Sequence, residues 1–261
     1  MTIISSGGFK PVNEINYLLN KNYKIIIFSF TLLFSFFSIF FSYNLIFYRK
    51  KNLNFFTEDF YLLVYLTIIS FTFFIFFTKQ NFSYYLLSIC SSVSNIGIFF
   101  SNENSNLYFI YFIMVIIGGS FFSTSSGIRL FKIYTLIKFS INELLSHTKP
   151  KHVLLSKVIF NTNKVDYDVI NKYFLSILIF IISLTTVTAL LSITGISFIQ
   201  SFKLGILTIM NTVNSSLFNL EYFDFKNINV VSKSVFIIFM IIGRVEFLAL
   251  ILIFKKYLFK N

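Results

Sequence analysis

Residues 107–138 form one long apolar stretch that is cut in its middle by Gly118-Gly119-Ser120-Phe121-Phe122-Ser123-Thr124-Ser125-Ser126-Gly127. The flanks, 107–117 and 128–137, are each too short to cross a bilayer, but together they reach the roughly 20 residues that a crossing needs. Glycine and hydroxyl residues at that depth would strand backbone N–H and C=O groups in lipid. Such a break is tolerated only where it is buried in protein or lines a water-filled path. The interrupted helix therefore points to transport across a membrane.

The rest of the chain agrees with a membrane setting. It has 261 residues, is 56% hydrophobic and has a mean hydropathy of +0.79, more than a soluble core of this length requires. The net charge of +12 does not indicate nucleic acid, because the basic residues sit at the ends of apolar spans rather than on one polar face. The one cysteine, Cys90, lies in an apolar segment and excludes a disulfide scaffold. No signal peptide is expected, since the first 22 residues are polar.

Spans are expected at 24–48, 60–78, 107–138 (broken), 173–194 and 233–254. Arg49-Lys50-Lys51 closes the first. Arg129, Lys132 and Lys138 lie at the far end of the broken one, five lysines fill 149–172, and Lys255, Lys256 and Lys260 follow the last. Placing all of these in the cytoplasm gives a consistent alternation, with the N-terminus outside and the C-terminus inside.

Two outer segments, 81–106 and 197–229, are half apolar. Each opens with a short amphipathic stretch (84–92 and 202–210) and then turns polar, at Ser94-Asn95-Ile96-Gly97 and at Asn211-Thr212-Val213-Asn214-Ser215-Ser216. Each reads as a re-entrant helix with an extended return. Ser5-Ser6-Gly7-Gly8-Phe9 supplies the second half of a third such unit. The expected fold is an all-α polytopic membrane protein built from span, re-entrant pore loop and span, repeated about two and a half times. Such loops suit ion selection: backbone carbonyls replace a cation's hydration shell, and glycine permits the backbone angles that aim them. For each loop alone an ordinary polar outer turn remains the alternative.

These residues resemble the Trk/Ktr potassium-uptake proteins, specifically the TrkH-like membrane subunit. The family's broken helix typically reads GG-x-x-GSTGGGIK, similar to residues 118–129. Its filters resemble Ser5-Ser6-Gly7-Gly8-Phe9, Ser94-Asn95-Ile96-Gly97-Ile98 and Asn211-Thr212-Val213-Asn214-Ser215-Ser216-Leu217. Its G-R-L-E motif is matched by Gly243-Arg244-Val245-Glu246, and Lys149-Pro150 stands where relatives usually have H-P.

The resemblance implies a fourfold pseudo-symmetric, potassium-channel-like pore. Ser5, Ser6, Gly7, Gly8, Ser94, Asn95, Ile96, Gly97, Thr212, Val213 and Asn214 would form the filter, holding potassium on backbone carbonyls. Gly118, Gly119, Ser123, Thr124, Gly127 and Arg244 would form the gate. It further implies a cytoplasmic nucleotide-binding regulatory subunit, a homodimer, and the inner membrane of a bacterium. No cofactor is expected besides the transported potassium or sodium ion.

Residues 1–56 then read as the remnant of a second repeat, 57–145 as a third, and 146–261 as a basic cytoplasmic segment with a fourth. The chain reads as truncated, needing an N-terminal half from another chain. Asn214 stands where the last filter usually has glycine, and Ile98 where an aromatic is usual. Phe121 and Phe122 occupy small positions of the gating loop, where they would either seal the path or pack outward. An arginine inside a span faces the bundle interior or water, which favours a pore-facing Arg244 over a pair with Glu246, two residues on.

Two other readings remain: a non-conducting scaffold of the same family, and an unrelated secondary transporter, which would use paired broken helices. An enzyme is not expected. His147 and His152 lie in the basic segment and form no ligand array, and the 10 acids form no intramembrane pair.

Overall fold

The computed structural model describes residues 19, 21–39, 41, 53–76, 82–97, 108–146, 167–212, 220, 223, 225 and 228–244. Among these are eight helices: α1 (Asn22–Phe36), α2 (Leu53–Phe76), α3 (Phe82–Val93), α4 (Tyr108–Ile117), α5 (Leu130–Ser146), α6 (Tyr167–Ile193), α7 (Phe198–Ile209) and α8 (Val230–Arg244).

The helices are inside-out relative to those of a soluble protein. On α1 the buried positions are Ile25, Ser29, Leu32, Leu33, Ser35 and Phe36, a stripe at helical spacing that includes two serines. Its opposite face exposes Tyr23, Ile27, Phe30 and Phe34. The serines survive burial by bonding their own helix, Ser29 Oγ to Ile25 O at 2.8 Å and Ser35 Oγ to Leu32 O at 2.8 Å. Apolar side chains facing outward and satisfied polar groups facing inward fit a surrounding solvent that is itself apolar.

One helix, α6, is by length and composition long and apolar enough to cross a membrane, with 27 residues and a mean hydropathy of 2.5 over its best window. At 1.5 Å per residue it extends about 40 Å. It exposes Phe174, Leu175, Leu178, Ile181 and Ile182. Its Ser183, Thr185, Thr186 and Thr188 hydroxyls turn back onto carbonyls three residues earlier.

The short helices α3 and α7 are enclosed. Nine residues of α3 are buried, five of them serine or cysteine, and α3 packs between α1, α2 and α4. The core gathers around it: Tyr85, Leu87, Ile89 and Val93 of α3 meet Ile25, Leu32 and Phe36 of α1 and Tyr111, Met114 and Val115 of α4. Phe73 of α2 closes this cluster, with ring centroids 6.2 Å from Tyr85 and 5.6 Å from Tyr111.

In the second group α7 lies against α6 and α8. Gly205 allows the close approach to α6, since a Cβ there would stand 3.2 Å from the Thr188 methyl. The two groups meet where Phe112 of α4 stacks on Phe202 of α7 at 6.4 Å.

The elements expected at 60–78, 84–92, 173–194 and 202–210 are present as α2, α3, α6 and α7. The span expected at 233–254 is described up to Arg244. One expectation needs correction: 24–48 is not a continuous helix. α1 stops at Phe36, Phe37 takes an extended conformation (φ −74, ψ 161), and helical backbone resumes at Ile39 and Phe41.

Candidate functional site: two matched helix ends and an interrupted crossing

The short helices α3 and α7 end in the same way. The Asn95 amide donates to Ser92 O (3.2 Å) and the Ile96 amide to Ser91 O (3.1 Å). In α7, the Asn211 amide donates to Thr208 O (3.2 Å) and the Thr212 amide to Leu207 O (3.0 Å). Both are Schellman caps, with the left-handed residue an asparagine: Asn95 has φ 57 and Asn211 φ 54. Asparagine is among the few non-glycine residues that take this conformation readily.

Each asparagine then uses its side chain as a tether. Asn95 Nδ2 donates to Ser126 O at 2.7 Å, and Asn211 Nδ2 donates to Met240 O of α8 at 3.1 Å. Each short helix is thereby pinned to the long element that follows it.

The matched caps fix a register between the two loops. Asn95 corresponds to Asn211 and Ile96 to Thr212.

The break between α4 and α5 runs from Gly118 to Arg129, with Gly118, Gly119, Ser120, Ser123, Ser125 and Ser126 buried and Phe122 exposed. Its neck closes through Ile128 N to Ile116 O and Arg129 N to Ile117 O, both 3.0 Å, so the two arms remain bonded across the excursion. Gly118 (φ 67) and Gly127 (φ 120) back onto each other there. A Cβ on Gly127 would stand 2.7 Å from Gly118 Cα, and one on Gly118 would overlap the Ser126 carbonyl oxygen. Only glycine meets both demands.

Inside the loop, Ser125 Oγ accepts from the Gly119 amide at 3.1 Å. Ser123 Oγ donates to Ser120 O at 2.9 Å and lies 2.8 Å from Ser125 Oγ. The hydroxyls thus supply the partners that a helix would have given.

The loop docks on the interruption of α1. Ser120 N donates to Phe36 O (3.0 Å), Ser125 N to Ser35 O (3.1 Å), and Ile39 N to Phe122 O (3.1 Å). The free carbonyls at the end of a helix must find donors somewhere, and here the loop provides them. Gly119 lies so close to this end that a Cβ would be 2.5 Å from Phe36 O. The remaining open donor at the break, Ser38 N, goes to Asp59 Oδ1 of α2 at 3.0 Å. The Ser38 hydroxyl donates to Asp59 Oδ2 at 2.6 Å.

Two basic residues differ from their expected place. Arg129 and Lys132 read as part of the inner basic cluster, yet Arg129 Nη1 donates to Ser120 O (2.7 Å), Ser123 Oγ (2.8 Å) and Ser123 O (3.3 Å). Its own φ is 79, a conformation costly for a side-chained residue. Lys132 is buried, with Nζ 5.7 Å from the centre of the Phe121 ring. Burial of the bonded loop gives both cations partners that sequence position alone does not reveal.

Phe121 turns toward α5, edge-on to Phe131 at 6.4 Å, and Phe122 is exposed.

Among the expected site residues, Ser94, Asn95, Ile96 and Gly97 lie together at the end of α3. Thr212 ends α7, and Gly118, Gly119, Ser123, Thr124 and Gly127 lie in the loop. Thr124 Oγ1 donates to Ser35 O at 3.4 Å. Ser5, Ser6, Gly7, Gly8, Ile98, Val213 and Asn214, the Arg244 side chain, Glu246, His147 and His152 lie outside the described residues.

Four buried oxygens at these places have no partner among the described residues: Asn95 Oδ1, Ser120 Oγ, Ser126 Oγ and Thr212 Oγ1. Buried polar atoms are ordinarily paired, so oxygens left open here mark the α3 cap, the loop and the α7 cap as polar. Among the described residues no group of three or more His, Cys, Asp or Glu gathers. The described residues of the site offer carbonyl, amide and hydroxyl oxygens.

Ser35, Phe36, Ser38 and Asp59 escaped the sequence reading. Asp59 carried a signal, as an acid at the edge of an apolar run, where ionisable residues are functional suspects. The α1 carbonyls carried none.

A bundle with an apolar exterior, two enclosed short helices capped alike, and an interrupted crossing whose backbone is rebonded inside the protein is the architecture of an all-α polytopic membrane protein. Comparison with known proteins makes this specific. The family model of TrkH, described as a cation transport protein, matches residues 97–260, and the chain belongs to that family, whose members are integral membrane transporters.

The fold is also that of a solved structure, the potassium transporter TrkH from Vibrio parahaemolyticus, with a TM-score of 0.80 at 17% identity. The match covers 97% of this chain and 56% of that one, so the chain spans little more than half the length of that transporter. No curated protein matches the sequence. The family match also settles the secondary-transporter alternative. The argument against it from unpaired broken helices does not stand, because α1 is a second interruption.

Proposed function

We propose that this chain is the membrane subunit of a potassium-uptake system, in which a monovalent cation passes the ends of α3 and α7 and is gated by the loop at 118–129. The observation that carries this reading is the pair of identical asparagine caps. Two helices of the same length end in the same hydrogen bonds, each tethered to the element that follows and each with a buried, unpartnered oxygen (Asn95 Oδ1, Thr212 Oγ1). Matched carbonyl-bearing ends are what a filter assembled from repeats around one axis requires. No covalent chemistry is involved.

On this reading Ser5, Ser6, Gly7, Gly8, Ser94, Asn95, Ile96, Gly97, Thr212, Val213 and Asn214 line the filter. Gly118, Gly119, Ser123, Thr124 and Gly127 form the gate, with Arg244 facing it from the end of α8. The repeats divide as 57–145 and 146–261, after a partial one at 1–56. The basic clusters face the cytoplasm, which puts the C-terminus inside and offers the face on which a nucleotide-binding regulatory subunit would dock. A bacterial inner membrane is the setting, and a second copy of the chain is the expected neighbour.

Rubidium uptake into sealed vesicles tests the reading, using the protein purified with any polypeptide that accompanies it in its membrane. The expected result is uptake above that of empty vesicles and suppressed by excess potassium. Uptake equal to empty vesicles would overturn it.

A further inference from the structure

The interruption of α1 and the docking of the 118–129 loop use the same atoms. In a continuous α1, the amide of Ile39 would bond Ser35 O, and Phe36 O would take the amide of residue 40. In the structure Ile39 N donates instead to Phe122 O, while Ser35 O and Phe36 O accept from Ser125 N and Ser120 N. A continuous α1 and a docked loop therefore exclude each other.

The group that holds α1 in its interrupted state is on neither partner. Asp59, on α2 and 1% exposed, takes the Ser38 amide at 3.0 Å and the Ser38 hydroxyl at 2.6 Å. The Ser38 hydroxyl oxygen in turn accepts from Phe41 N at 3.0 Å. In a continuous helix the Ser38 amide would go to Phe34 O, so every bond to Asp59 favours the break. Hydrogen bonds to a charged group are among the stronger ones, and one turn further along α2 Leu62 is buried in the core.

We propose that α1 and the gating loop form a single two-state switch, and that Asp59 is the positioning residue that biases it toward the docked loop. This inference rests on the gating role proposed for the loop, but its test does not depend on transport.

A cysteine placed at Phe122 reports the loop through its reaction rate with a membrane-impermeant maleimide, with the parent chain correcting for buried Cys90. A cysteine at Ile199, exposed on α7, reports the rest of the fold. Asp59→Ala is expected to raise the Phe122→Cys rate about tenfold, the factor set by losing one hydrogen bond to a charged group, and to leave the Ile199→Cys rate unchanged.

Asp59→Asn, which keeps an acceptor for the Ser38 amide, is expected to raise it less. Ser38→Ala combined with Asp59→Ala should add little to Asp59→Ala alone, because both act through one contact. Should Asp59→Ala not yield folded protein, Asp59→Asn and Ser38→Ala carry the test. An unchanged Phe122→Cys rate, or an equal rise at Ile199→Cys, overturns the proposal. Rubidium uptake run in parallel judges the transport reading separately, since its failure leaves the labelling comparison intact.

Discussion

At the scale of single residues, the site is specified by backbone angles and by close approach more than by charge. Gly243 shows this outside the loop: a Cβ there would overlap the carbonyl oxygen of Ile209 at the end of α7. Gly243→Ala must push α8 off α7, and the Met240 carbonyl that holds Asn211 moves with it. We expect a loss of roughly 2 kcal/mol, in the range of overpacking substitutions, read as a lower midpoint of thermal unfolding in detergent. An unchanged midpoint would mean that α8 does not cross α7 this closely.

Arg129 makes the complementary case for side-chain geometry. Its Nη1 gathers two carbonyls and a hydroxyl of the loop, at a reach from the backbone that the shorter side chain of a lysine does not match. Arg129→Lys should keep the charge and still loosen the loop, seen as faster hydrogen exchange at 118–126. Exchange equal to the wild type would reduce Arg129 to a topological charge.

The glycines of the loop were legible in the sequence because they interrupt an apolar run. Arg129 was not, since a basic residue at the end of a span looks the same whether it serves topology or turns back into a loop. Asn95 and Asn211 were seen as polar turn residues. Their equivalence was hidden, because neighbouring residues differ and only the hydrogen bonds align them.

At the scale of elements, the two interruptions are one feature. The apolar pattern of 24–48 carries no glycine or proline to mark a break, so the sequence supports a continuous span. The break exists because Asp59 and the loop together bond the groups that a continuous helix would have paired internally. Local propensity favours the helix and tertiary bonding overrides it.

This predicts a coupling that neither element shows alone. Peptides covering 35–41 and 118–129 should gain deuterium at a common rate, because opening one frees the partners of the other. Independent rates would separate the two breaks. The re-entrant helices were legible from their length and amphipathic pattern, and α6 from its hydropathy. What no pattern revealed was that α3 is enclosed on nearly every side, a property of its neighbours rather than of its own residues.

At the scale of the whole molecule, the arrangement places carbonyl and hydroxyl oxygens inside a bundle whose exterior is apolar. The fold class was legible because a bilayer restricts what a chain this apolar can do. The cation path was legible only in outline. More than half of the expected filter residues, from Ser5 to Gly8 together with Val213 and Asn214, lie outside the described residues, and the proposed lining follows from the caps at Asn95 and Asn211 alone. On the proposed function a cation passes those caps and the 118–129 loop closes the way.

Rubidium uptake into vesicles by the native protein and by a variant lacking residues 120–125, with the glycine neck kept, tests this most directly. The account predicts uptake in both and a rise of about tenfold or more in the shortened variant, provided that it remains monodisperse. Equal uptake in the two, or none in either, would contradict it.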